Sequence, residues 1–373
     1  MGETIKADVA VVGAGIAGAG LAASLNGARV ALIEAESRPG HHATGRSAAI
    51  LLRNYGNAAI RALTRASVPL FEDADPELFP HSLLSPRGLL YVADEAGKDA
   101  FDKLLAYDDG LEPITREEAL ARVPALRPER LAQAALEGDA ADIDVASLHQ
   151  GFLKGAARKG TTLLADAPVT GLRREGNTWR IGTKKGVVEA PVLVDAAGAW
   201  ADRVAGLAGA KPLGLVPLRR SMAVLPPDPR FDIRSWPLIA DAAEGWYAKP
   251  EAGRLLVSPA EEHPAEPHDA FADDMVLAEG LDRFERHMDW PVTRVERSWA
   301  GLRTFVPDRT PVVGFDAELP GFFWLAGQGG YGIQTAPALS LLAAKLCAGE
   351  TPSREDAPLV ASLSPVRFTQ KAA

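Results

Sequence analysis

Cysteine is almost missing from this chain: Cys347 is the one thiol in 373 residues. A lone thiol forms neither an internal disulfide nor a cysteine-built metal centre. It follows the apolar run Leu341-Leu342-Ala343-Ala344, which reads as packed helix, so a buried thiol is expected. Basic residues are in deficit as well: 40 Lys and Arg stand against 49 Asp and Glu, a formal charge of -9. A nucleic-acid binder presents a basic face, and this balance argues against one. No apolar run is long enough for a bilayer, and the first is surrounded by Glu3, Lys6 and Asp8, so neither a transmembrane segment nor a signal peptide is expected. The cytoplasm is the default compartment. His81, His149, His263, His268 and His287 show no metal-ligand spacing, and no metal is expected. Internal repeats and low-complexity tracts are absent from the sequence.

What is present begins with Gly13, Gly15 and Gly18, in Val9-Ala10-Val11-Val12-Gly13-Ala14-Gly15-Ile16-Ala17-Gly18. The apolar run before Gly13 reads as a buried parallel strand and the small residues after it as a helix start. Gly13 permits the tight turn, Gly15 lets backbone approach a pyrophosphate, and Gly18 allows close helix–sheet packing. A second strand, Arg29-Val30-Ala31-Leu32-Ile33, ends at Glu34, followed by Ala35. An acid about twenty residues beyond the motif holds a ribose hydroxyl pair. Strand, glycines and acid together predict a dinucleotide site.

The chain is too long for one compact core and implies two domains. Arg87-Gly88-Leu89-Leu90-Tyr91-Val92-Ala93 reads as a strand of a different layer, and Glu117-Glu118-Ala119-Leu120-Ala121-Arg122 as a short exposed helix. Asp144 is a candidate N-cap for a further helix. Strands are expected at Thr161-Thr162-Leu163-Leu164 and as a hairpin around Trp179-Arg180-Ile181 and Gly186-Val187-Val188. Val192-Leu193-Val194-Asp195-Ala196-Ala197-Gly198-Ala199-Trp200 and Phe322-Phe323-Trp324-Leu325-Ala326-Gly327-Gln328-Gly329-Gly330-Tyr331-Gly332 each repeat the order strand, small-residue turn, helix. These returns to one sheet imply interleaved domains.

The arrangement resembles the D-amino-acid oxidase superfamily of flavoproteins, and in particular bacterial FAD-dependent D-arginine dehydrogenases. The likeness runs nearly end to end, through Thr44-Gly45-Arg46-Ser47-Ala48-Ala49, Leu83-Leu84-Ser85-Pro86-Arg87, Trp299-Ala300-Gly301-Leu302-Arg303 and Gln328-Gly329-Gly330-Tyr331-Gly332-Ile333-Gln334. It implies an α/β fold in which an FAD-binding Rossmann-like domain (1–84, 140–212 and 298–373) interleaves with an antiparallel-sheet substrate domain (85–139 and 213–297). It implies FAD along Gly13, Gly15, Ile16, Ala17, Gly18, Glu34, Ala35, Thr44, Gly45, Arg46, Ser47 and Ala48. Val169 bonds the adenine through its backbone in this pattern, and Ala197, Gly198 and Trp200 pass near the cofactor. Gly329, Gly330, Tyr331, Gly332, Ile333 and Gln334 bring backbone N–H groups and a helix start to the flavin, favouring its reduced, negative form. Sarcosine oxidases attach flavin to a Cys near the Arg303 strand, where this chain has Thr304 and Phe305; His42 corresponds to the His used by some N-methylglycine dehydrogenases. The D-arginine dehydrogenase pattern also has that His and binds FAD non-covalently, and non-covalent FAD is expected.

The resemblance further implies oxidative deamination of a D-amino acid, with hydride passing from Cα to flavin N5. Arg303 is the expected carboxylate clamp, since a guanidinium forms parallel charge-assisted hydrogen bonds. Arg220 and Tyr247 resemble further carboxylate contacts, Tyr55 the tyrosine of a mobile loop over the substrate, and Gly330 with Gln334 the amine end. Arg219 has no family match and reads as surface. Leu89 stands where D-arginine dehydrogenases hold the guanidinium with Glu, Ile50 replaces a His, and Leu52, Leu238 and Ala240 are further apolar positions. An apolar substrate side chain is therefore expected. Arg53 in the same loop reads as exposed, with a second substrate carboxylate as its alternative role. Competing readings are oxidation of an N-substituted glycine (sarcosine or an iminodiacetate-like diacid), of a 2-hydroxy acid, or a flavin-carrying subunit without catalysis. The electron acceptor, whether oxygen, quinone or carrier, is left open.

Overall fold

The computed structural model describes residues 4–107 and 110–368. Its organising layer is a six-stranded sheet ordered Thr162–Leu164, Val30–Ile33, Val9–Val12, Val192–Asp195, Phe322–Ala326 and Val312–Phe315. All neighbours are parallel except the last pair. Val9–Val12 and Val30–Ile33 are buried at every position, because both faces of the sheet are covered. Val9 and Val11 pack among the helices Ile16–Ser24 and Gly332–Cys347. Ala10 and Val12 face the opposite way, toward Trp179, Ile181 and Val204. That second cover is a four-stranded sheet containing the hairpin Thr178–Thr183 and Gly186–Ala190, together with the helix Ala201–Ala208. Asp144 caps the helix Val145–Arg158, its carboxylate accepting from Ser147 N–H. Cys347 is buried, and burial pushes its thiol up to about 12.

A nine-stranded sheet forms the other layer. Its strands Gln133–Glu137, Leu89–Ala93, Leu238–Asp241, Tyr247–Glu251, Arg254–Ser258 and Val216–Leu225 are neighbours in that order. Most pairs are antiparallel, but Leu89–Ala93 and Leu238–Asp241 run parallel. One face carries the core of Trp236, Trp246, Phe284 and Trp290 beneath the helices Asp274–His287 and Arg116–Arg122. The second helix opens with a reciprocal Thr115–Glu118 capping box.

The sequence reading puts residues 298–305 with the cofactor segments, yet Arg297–Phe305 pairs antiparallel with Val216–Leu225 in the large sheet. The register aligns Leu218 with Arg303, Arg220 with Gly301 and Met222 with Trp299. Arg220 and Arg303 thus share a face as diagonal neighbours. Arg219, expected at the surface, points to the other face: its side chain is 18% exposed and lies 3.5 Å from Asp273. Alternation along a strand puts consecutive arginines on opposite sides. Among the described residues no helix is long and apolar enough to cross a membrane.

Candidate active site

A cavity of about 650 Å³ runs between the two sheets. At one end are Glu34 and Val169, in the middle Gly13, Gly15 and the Thr44–Ala48 segment, and at the other end Arg220, Tyr247 and Arg303. Gly18, Gly45 and Tyr331 stand just behind the lining, while the other residues expected to touch cofactor or substrate lie on it.

The middle is shaped by bare backbone. Gly13 has φ +102, and an added Cβ would come within 2.4 Å of the Ala196 carbonyl. A Cβ on Gly18 would sit 1.9 Å from the Gly13 carbonyl, so its absence lets the helix rest against the turn. Ile16 N–H donates to Thr44 Oγ1 at 3.0 Å, joining the helix start to the opposite wall. Glu34 accepts from Ala14 and Glu36 N–H, each at 2.9 Å. Its remaining lone pairs suit a ribose, the bare turns suit a pyrophosphate, and a cavity of about 650 Å³ lined by both suits a dinucleotide. These residues fit FAD.

His41, His42 and Asp269 bring donor atoms within 4.8 Å of one another beside this groove, a proximity no local spacing signalled. Arg46 hydrogen-bonds Asp269 there and donates to the Ala270 and Ala300 carbonyls, so a guanidinium is the cation at this cluster. His42 packs on Trp200, ring centroids 4.5 Å apart, with its Nε2 3.0 Å from Glu36.

The far end is built by side chains. Among the described residues none forms an ion pair with Arg303, whose field is set by Tyr247, Tyr55, Glu262 and Tyr331. Burial works against the Arg303 charge, yet these neighbours raise its pKa overall, and it stays cationic. Tyr247 is pulled below the ordinary phenol value: burial opposes its ionisation, but Arg303 and Arg220 outweigh it. Burial raises Tyr55, and carries Tyr331 up to about 12. Arg220 donates to the Glu261 carbonyl at 2.8 Å and lies 3.3 Å from Glu262, which also grips Arg309. The Glu262–Arg309 pair spans 47 positions and was invisible to local reading. Beyond the arginines, Leu52, Leu89 and Leu238 pack with Ile50, Tyr91 and Ala240 into an apolar wall. Glu244, also missed, lies at the cavity's exposed rim at φ +57, where its charge acts on Tyr55.

One expected ligand, Gln334, and one alternative ligand, Arg53, are otherwise engaged. Gln334 lines the cavity, but its amide donates to Thr64 Oγ1 at 2.9 Å and accepts from Leu52 N–H at 3.2 Å. It anchors the Tyr55 loop. Arg53 is outside the lining, with Nε 2.9 Å from Asp139. The loop is fastened elsewhere too: Arg65 donates to Asn54 Oδ1, and Tyr107 to the Gly56 carbonyl.

Residues 8–346 match the family model DAO, FAD dependent oxidoreductase. Glycine oxidase from Geobacillus kaustophilus is 26% identical over 92% of this chain and 93% of its own. Its crystal structure superposes with a TM-score of 0.83, covering 97% of this chain and 99% of that one. Hydrogen cyanide synthase subunit HcnC of Pseudomonas aeruginosa is 27% identical over 58% of this chain, a match spanning about half (51%) of HcnC. L-proline dehydrogenase from P. horikoshii, 24% identical, shares the fold with a TM-score of 0.84 over 99% of both chains. The likenesses support amino-acid oxidation broadly rather than the D-arginine dehydrogenases in particular.

Proposed function

Since the chain belongs to the DAO family of FAD-dependent oxidoreductases, we propose that it oxidises a free D-amino acid with an apolar side chain to the imino acid. The observation that carries this reading is Arg303, desolvated, charged and, among the described residues, without a carboxylate in ion-pair contact, Glu262 acting on it only through its field. A buried guanidinium left in that state is costly, and a substrate carboxylate supplies the missing charge. Arg220 adds a second donor, and Tyr247 and Tyr55 line the same end of the cavity. Leu52, Leu89 and Leu238 receive the side chain, whose burial contributes roughly 1.5–3 kcal/mol. FAD, when bound, supplies the electron acceptor for the hydride leaving Cα. The chain's own task is to orient the substrate and exclude water.

FAD is held without a covalent bond in this reading, because Thr304 and Phe305 follow Arg303 and offer no thiol. Acid precipitation tests it: yellow supernatant is expected, and flavin in the pellet overturns it. A second reading, glycine or an N-substituted glycine as substrate, is favoured by the glycine oxidase likeness along 92% of the chain. The diacid version loses its proposed ligand, since Arg53 pairs with Asp139.

The deciding experiment follows anaerobic flavin reduction with D- and L-amino acids, sarcosine, iminodiacetate and 2-hydroxy acids. Apolar D-amino acids are expected to lead. Glycine or sarcosine at the head selects the second reading. D-arginine at the head makes Glu244 the counter-charge and sinks the apolar-wall argument.

A further inference from the structure

A buried histidine that amino-acid oxidation does not use lies behind the phosphate turn. His149, on the helix Val145–Arg158, is 5% exposed. Its Nε2–H donates to the Ala14 carbonyl at 2.8 Å. Ala14 N–H is claimed from elsewhere by Glu34 Oε2 at 2.9 Å. Both backbone polar groups of this residue are therefore held by buried side chains.

The consequence falls on Gly15. In a trans peptide the carbonyl and the following N–H point in opposite directions, and the described residues contain no cis bonds. Drawing the Ala14 carbonyl toward His149 turns Gly15 N–H away from it, and Gly15 lines the cavity. That N–H has no protein acceptor among the described residues. The opposite wall is tied in as well. A Cβ on Gly40 would come within 2.8 Å of His149 Cε1, so the ring packs on bare backbone there. The Gly40 carbonyl accepts from Gly45 N–H at 2.8 Å, which steadies the turn bearing Thr44. Burial pushes the imidazole pKa below its ordinary value, against the opposing Ala14 hydrogen bond and Glu34 charge. The ring is thus neutral at pH 7, with its proton on Nε2.

We propose that His149 is a positioning residue for the pyrophosphate of FAD, orienting the Ala14–Gly15 peptide so that Gly15 N–H meets a phosphate oxygen. The proposal rests on the family's cofactor and not on the substrate reading. Its test needs no substrate. FAD dissociation from His149→Leu, His149→Gln and His149→Asn holoenzymes is followed by flavin fluorescence on dilution, and bound FAD by ³¹P NMR. Leucine leaves the Ala14 carbonyl without its buried donor, and FAD affinity is expected to fall about tenfold or more. A phosphate resonance shifts while the flavin absorption band stays in place. Glutamine, whose amide reaches the carbonyl, recovers most of the affinity; asparagine, being shorter, does not. The Gln and Asn pair keeps the test decisive if the leucine variant fails to fold. Equal losses in both amide variants with unshifted ³¹P resonances reduce His149 to packing and overturn the proposal. Wild-type affinity in the leucine variant overturns it too.

Discussion

At the cofactor end of the cavity the wall is mostly backbone, and the polar side chains there (Glu34, Thr44, His149) are engaged in hydrogen bonds that hold the turns. At the end proposed for the substrate the wall is side chains drawn from separate strands, and its central charge, Arg303, has no ion-pair partner among the described residues. One end is finished by folding; the other keeps an unmet interaction for a ligand. Under the proposed function the second end carries the selectivity, since an unpaired buried charge costs folding energy that a bound carboxylate restores.

The comparison breaks most completely at Gly13. In Gly13→Ala the new Cβ meets the Ala196 carbonyl at 2.4 Å on a φ of +102. Loss of bound flavin together with all activity is expected, read by absorbance of the purified protein. A yellow, active variant would show that the turn tolerates movement.

Arg303→Leu separates the two ends. It is expected to retain FAD and lose substrate capture by a few hundredfold or more, in line with about 3–5 kcal/mol for one partner of a buried ion pair. Stopped-flow flavin reduction measures it, and near-normal kcat/KM would move the carboxylate site elsewhere.

Leu89→Glu sharpens the substrate side alone. Leu89 is 1% exposed within the apolar wall. An acid there offers a guanidinium or ammonium its counter-charge, so the ratio of D-arginine to D-leucine efficiency is expected to rise at least about tenfold. An unchanged ratio would place the substrate side chain away from this wall.

The last effect concerns stability, not turnover, at the cofactor end. Asp195 is fully buried; its Oδ1 accepts from Ala197 N–H and its Oδ2 has no hydrogen-bond partner. Burial holds its pKa well above the ordinary carboxylate value. An unfolded chain ionises this group near 3.8, so stability drains as pH rises from there toward the folded pKa, by about 1.4 kcal/mol per unit. Asp195→Asn removes that titration. Its Tm relative to the parent is expected to be higher at pH 8 than at pH 5, and an equal difference at both would count against the buried-acid account.

The strand–glycine–helix unit, Glu34, the Asp144 cap and the buried Cys347 were legible in the sequence because each is specified by neighbours along the chain: period, turn chemistry and capping act over a few residues. The apolar identities of Leu89, Ile50 and Leu238 were legible by resemblance, although their meeting in one wall was not. The tertiary structure alone decided that Arg297–Phe305 joins the large sheet and so sets Arg303 diagonal to Arg220. It alone diverted Gln334 to Leu52 and Thr64, Arg53 to Asp139, and Arg219 to Asp273. It also joined Glu262 to Arg309, and His149 to Ala14 from 135 positions away. Sequence fixes which groups a chain carries and their local geometry. Which buried charges and donors meet is a matter of long-range register and packing, where one shift in strand alignment exchanges every partner.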